Sequence, residues 1–324
     1  MSQHYTSHRP HDSYINVLLL SLLLGLFFPA IFAPLNTYST FLLQGIFFLS
    51  SLKINIHEIR SELHHWKTIL AATFFMLILL PLGSYFLALW IFPPIAIPIL
   101  LLAAMPSGMT SPLLVSLIRG NVPLALIITA STSFFAPLTI PFILNQLLDQ
   151  NQHIALWHMF MTLLTVIFLP FLLAQGVRLW LSSSSVFVRV HSFIKPLSFG
   201  MMCLLFASIS AKYSETLRES FTFESALALI GMLLFFLSIH VIAYNLFWRH
   251  NLRDRLTIVL CIVYMNFTLA IFIAQQFFPD PKIIICCSLI LFSMSCCFIA
   301  ISTPLLKFLV SLSLCFCNTS NSLR

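Results

Sequence analysis

Ten apolar runs of about 20 residues, each the length that crosses a hydrocarbon core, govern what this chain can become. They fall at 14–33, 35–54, 68–91, 95–118, 122–144, 157–179, 193–211, 223–247, 257–278 and 283–311. Of 324 residues, 60% are hydrophobic and 8% charged, against about 25% charged in a soluble domain. No soluble core could bury so much apolar surface under so thin a polar coat. A bilayer solves this, because lipid solvates the outer surface and each helix satisfies its own backbone. The chain therefore reads as an all-α membrane protein of about ten transmembrane helices, with the lipid bilayer as its first partner.

The connectors divide it into a polar tail at 1–13, a first half at 14–144, a connector at 145–156, a second half at 157–311 and a tail at 312–324. None of the connectors could house a soluble domain. The first apolar run is longer than a secretory signal and lacks a small-residue cleavage site, so it is expected to stay as an uncleaved helix. The net charge of +7 could point to nucleic acid, but its distribution points to topology. Ten spans leave Lys212, Arg218 and Lys282 on one side and the other thirteen of the 16 Lys and Arg on the opposite side. Basic residues stay in the cytoplasm, so both termini are expected there, in an inner (plasma) membrane.

The eight cysteines lie in or just beyond the apolar runs without a CxxC pair, and buried thiols behave as small hydrophobes. No disulfide, metal or cofactor is expected. An enzyme would need a water-facing acid, base or metal cluster. The best candidates, His57-Glu58 and His64-His65, lack the spacing that puts two imidazoles on one helix face and read as a solvated loop. His240 lies deep in the eighth run, where it could carry a proton or simply bond to a neighbouring helix.

Two halves of five spans each insert in opposite orientations. That inverted repeat is common in secondary transporters, whose sites form where broken helices meet. The fourth run carries such a break, Pro106-Ser107-Gly108-Met109-Thr110-Ser111-Pro112. Its prolines, glycine and hydroxyls cannot continue a helix without freeing backbone groups. Ile95 to Pro106 makes about 18 Å of helix and Met109 to Arg119 about 16 Å, each about half a membrane. A proline kink would be the plainer outcome. The corresponding run of the second half holds Asn266 and Thr268 at mid-depth, where polar groups face the protein interior. It has neither glycine nor proline, and its residues alone do not predict a break.

These segments resemble the bile acid:sodium symporter family. Pro106-Ser107-Gly108-Met109-Thr110-Ser111 is similar to the family's helix break, Arg119-Gly120-Asn121 to its turn, and Met265-Asn266-Phe267-Thr268-Leu269-Ala270 to its ninth span. The resemblance implies a panel and a core, with broken helices four and nine crossing in the core. It implies a secondary transporter of a small organic solute, typically an amphipathic organic anion. Solute contacts would come from Pro106, Ser107, Gly108, Thr110, Ser111, Pro112, Asn266 and Thr268. The family's sodium ligands match only at Ser111 and Thr129. The ninth-span carboxylate position is Cys261, the amide after the break's serine is Pro112, and a fifth-span hydroxyl is Ala125. Glutamines of the family stand at Met265 and Met76 here. Sodium coupling is thus expected to be weak. A sodium-independent carrier or exporter of the same fold, and a sensor or scaffold that does not transport, are the alternatives.

Overall fold

The computed structural model describes residues 10–52, 65–148, 156–181, 185–215, 223–278, 283–284 and 287. All regular structure among them is helical. We label the helices α1 (Pro10–Phe27), α2 (Ser39–Ser51), α3 (Trp66–Ile91), α4 (Ala96–Ala103), α5 (Ser111–Leu117) and α6 (Val122–Leu147). The series continues with α7 (Leu156–Leu181), α8 (Ser185–Lys212), α9 (Phe223–Leu246), α10 (Leu252–Val263) and α11 (Phe267–Phe277). Three stretches, 66–91, 122–147 and 156–180, are each long and apolar enough to cross a membrane unaided. The tenth apolar run lies almost wholly outside the described residues, as do His57, Glu58, His64 and five of the cysteines.

The first two runs depart from their expected limits. α1 stops at Phe27, short helical turns occupy Pro29–Tyr38, and the axis bends by 99° at the break. Pro29 and Pro34 explain this, since each removes a backbone donor and both sit where a new helical turn begins. In α3 the ladder loosens into a π-helical segment at Phe75–Leu79, just before Pro81, whose missing N–H weakens that turn.

The helices pack in two groups. α1, α2, α7 and α8 contact one another, and α3 to α6 with α9 to α11 form the second group. Contacts of α6 with α7 and of α2 with α11 join the groups. Within the first group α1 and α8 touch backbone to backbone. Any side chain at Gly25 would collide with the Ala207 carbonyl, and Ser210 donates from Oγ to the Leu22 carbonyl at 2.9 Å. Small residues allow such close approach where no hydrophobic force between helices exists.

The Arg119-Gly120-Asn121 turn shows how sequence sets a boundary. Gly120 N–H returns to the Val115 carbonyl at 2.9 Å and Arg119 N–H to Ser116 at 3.3 Å, the paired bonds of a Schellman stop. The left-handed position falls on Arg119, with φ of 57°. Gly120 is required by space instead, because a Cβ would lie 2.7 Å from Thr257 Oγ1. Asn121 then caps α6, its Oδ1 accepting from Leu124 N–H at 3.2 Å. Its Nδ2 donates to Asp254 Oδ1 at 3.0 Å, and Asn251 Nδ2 donates to Asp254 Oδ2 at 2.8 Å. Two amides thereby hold a buried carboxylate at the start of α10.

Candidate functional site

The apolar fourth run breaks where its prolines and glycine stand. α4 ends at Ala103, since Pro106 offers no N–H to extend the ladder, and α5 starts at Ser111. Pro112 falls in the first turn of α5, where proline is tolerated; it begins the second half-helix. The ninth run breaks as well, between Val263 and Phe267. The residue reading did not predict that break; the family resemblance did. A signal was present: Asn266 is an N-cap, its Oδ1 accepting from Leu269 N–H at 3.1 Å, and asparagine is among the strongest capping residues.

The two breaks cross. Ser107 and Met265 form an isolated antiparallel bridge. Gly108 N–H donates to the Tyr264 carbonyl at 2.7 Å, and Asn266 N–H donates to the Pro106 carbonyl at 2.8 Å. Each break therefore satisfies backbone groups that the other has freed, as an apolar surrounding demands. The approach is close: a Cβ on Gly108 would lie 2.8 Å from the Tyr264 oxygen and 2.9 Å from that of Met265.

A chain of hydroxyls runs through the crossing. Thr129 Oγ1 donates to Ser107 Oγ at 3.3 Å, Ser107 Oγ to Ser111 Oγ at 3.3 Å, and Ser111 Oγ to the Tyr264 carbonyl at 3.0 Å. All three are buried. Ser107 N–H donates to Thr132 Oγ1 at 3.2 Å, tying the break to α6. Cys261 faces the same region, 4.0 Å from the Ala125 carbonyl. Asn266 and Thr268 form a separate pair, with Thr268 Oγ1 donating to Asn266 Oδ1 at 2.6 Å. Asn266 Nδ2 is buried with no partner among the described residues. Thr110 stands apart from both groups, exposed at the surface of the break.

This separates two residues that the sequence treated alike. Ser107 is fully buried and hydrogen-bonded while Thr110 is open. In a background without native cysteines, Thr110→Cys should react with small water-soluble thiol reagents at least about tenfold faster than Ser107→Cys. Equal rates at the two positions would contradict the packing of the break.

Beside the crossing lies a small, partly open cleft of about 40 Å³. Phe47 and Ser51 of α2 form one wall, and Phe168 and Phe171 of α7 another. Met109 of the break and Thr129, Ser133 and Phe134 of α6 complete it. The cleft thus sits between the two packing groups, and Thr129 belongs both to its lining and to the hydroxyl chain. The sequence points to Thr129 and carries no separate signal for Ser133, although both belong to one polar run on α6, Thr129-Ala130-Ser131-Thr132-Ser133. His240 bonds to its own helix, through Nδ1 and the Phe236 carbonyl at 2.7 Å, and its Nε2 has no partner among the described residues. Among the described residues no cluster of His, Cys, Asp or Glu could hold a metal ion.

The model of the SBF-like CPA transporter family matches residues 12–317. Two proteins of Bacillus subtilis (strain 168) are similar in sequence. The uncharacterized protein YbaS is 30% identical over 163 residues, covering 49% of this chain and 52% of that protein. The uncharacterized sodium-dependent transporter YocS is 22% identical over 219 residues, covering 66% of this chain and 68% of its own length. The chain thus spans about half the length of the first of these relatives.

Proposed function

Because this chain belongs to the SBF-like CPA transporter family, we infer that it is a secondary transporter of a small organic solute. The observation that carries this reading is the pair of broken helices locked across one another beside a phenylalanine-lined cleft. Broken helices at mid-depth are the recurrent site of secondary transporters. In this reading ten spans form two inverted halves, and the charge asymmetry keeps both termini cytoplasmic. Movement of α1, α2, α7 and α8 against the remaining helices would open the cleft to each side in turn. Organic anions, the cargo implied by the family resemblance, belong among the solutes to be tried.

Sodium plays a reduced part in this proposal. The hydroxyls at Ser111 and Thr129 already donate within the crossing, and Cys261 supplies no charge. A sodium-independent carrier or exporter is therefore the form of the function favoured here. The missing carboxylate also favours a second reading, a sensor or scaffold that binds solute without moving it. Counterflow decides between them. Proteoliposomes loaded with unlabelled solute should accumulate the same radiolabelled solute transiently above its equilibrium level. Solute binding without counterflow would turn the assignment to the sensor.

A further inference from the structure

The cleft beside the crossing has walls whose chemistry narrows what can occupy it. Four phenylalanine rings, Phe47, Phe134, Phe168 and Phe171, face it from three helices, and Phe134 and Phe168 already touch at 5.2 Å between centroids. Aromatic rings pack favourably edge-to-face or offset against other rings. The remaining wall groups are aliphatic or carry a hydroxyl or a thioether; among the described residues no lysine, arginine, histidine or carboxylate lines the space. A carboxylate or sulfate enclosed there would lose water and gain no counter-charge, which is costly.

One wall group lacks a partner. Ser133 is 6% exposed, and its Oγ finds no hydrogen-bond partner among the described residues. Hydroxyls on apolar helices usually return to the carbonyl one turn back. Thr132 does so to Ile128 at 2.8 Å, Thr139 to Phe135 at 3.1 Å and Thr165 to Met161 at 2.8 Å. Ser133 does not, although it lines the cleft. A second unpaired atom lies nearby. Gln175, one turn along α7 from Phe171, donates from Nε2 to the Ser51 carbonyl at 3.1 Å, and its Oε1 is buried with no partner among the described residues.

Resting on the carrier reading above, we propose that the solute is a neutral, ring-bearing molecule with one hydroxyl or amide group, and that Ser133 determines this specificity by bonding to it. The rings hold the apolar body, and the serine hydroxyl gives or accepts one hydrogen bond. Binding is measured by titration calorimetry on the purified full-length protein, using phenylethanol, phenylacetamide, phenylacetate, phenylethylammonium and toluene. The alcohol and amide should bind at least about tenfold more tightly than the carboxylate and the ammonium. Ser133→Ala should weaken the alcohol and amide by about three- to tenfold and leave toluene unchanged. Tighter binding of phenylacetate than of phenylethanol would overturn the proposal, as would equal losses for phenylethanol and toluene. So would the absence of binding by every probe. Should Ser133→Ala not fold, the wild-type preference alone decides. Counterflow of organic acids with no response to the neutral probes would leave the carrier standing and remove this solute class.

Discussion

Replacing Gly108 by alanine should reduce transport at least about tenfold and lower the melting temperature by about 2–5 °C. An added Cβ there lies 2.8 and 2.9 Å from the Tyr264 and Met265 oxygens. These are backbone atoms held by the bridge itself, through Gly108 N–H to Tyr264 and Asn266 N–H to Pro106. They cannot rotate aside as a flexible side chain would. Overpacking of this kind costs about 1–3 kcal/mol, and each kcal/mol is worth about 1.5 °C in a protein of this size. The constraint is space alone, since no glycine here has positive φ and alanine would be at ease with the backbone. Gly83 supplies the control. A Cβ at that position on α3 meets nothing within 4 Å, and alanine is the better helix former. Scintillation counting of solute uptake and a thermal melt of both variants check the expectation. Equal behaviour of Gly108→Ala and Gly83→Ala would mean that the breaks do not cross closely in the working protein.

The fold was legible wherever one residue type forces one outcome. Long apolar runs placed α3, α6 and α7, and Pro106 with Gly108 marked the fourth-run break, because proline and glycine act through the backbone itself. The ninth-run break was less visible. It depends on a cap by Asn266 and on two bonds from a segment far away in sequence, and no local propensity encodes a partner. The site divides in the same way. Ser107, Ser111 and Thr129, which the sequence places near the solute or ion, meet in one hydroxyl chain. Thr110 was grouped with them although it points elsewhere, because neighbouring residues in a break lack the fixed periodicity that assigns faces on a helix. Asp254 escaped notice because it lies in a connector, and only tertiary contacts with Asn121 and Asn251 show that it is buried. Ser133 is not singled out by the sequence, because a hydroxyl residue on an apolar helix has an ordinary use, the bond to its own backbone, and only the structure shows that bond missing.

The second large effect concerns the coupling ion. A sodium ion at the crossing must replace its lost water with oxygens, preferably including a charge. The hydroxyls of Thr129, Ser107 and Ser111 are neutral and already donate in sequence to the Tyr264 carbonyl. Asp254 cannot serve. It lies seven residues from Cys261 along α10, about 10 Å of helix rise, and both of its oxygens accept from asparagine amides. Restoring a carboxylate at the position itself should restore the ion. Cys261→Glu places an acidic group beside Ala125 and within the region of the hydroxyl chain. It should confer a gain of about tenfold in solute affinity on exchanging choline for sodium, a coupling of about 1.4 kcal/mol. Failure of the variant to respond, in protein that still folds and binds solute, would remove Cys261 from the ion position.

The wild-type protein offers the most direct test of the proposal that this chain is a carrier with little or no sodium coupling. Coupling is reciprocal, so a sodium ion that drives transport must also tighten solute binding. Solute affinity is measured on the purified wild type in sodium and in choline medium at equal ionic strength. The account predicts affinities equal within about twofold. A gain of about tenfold or more from sodium alone would contradict it.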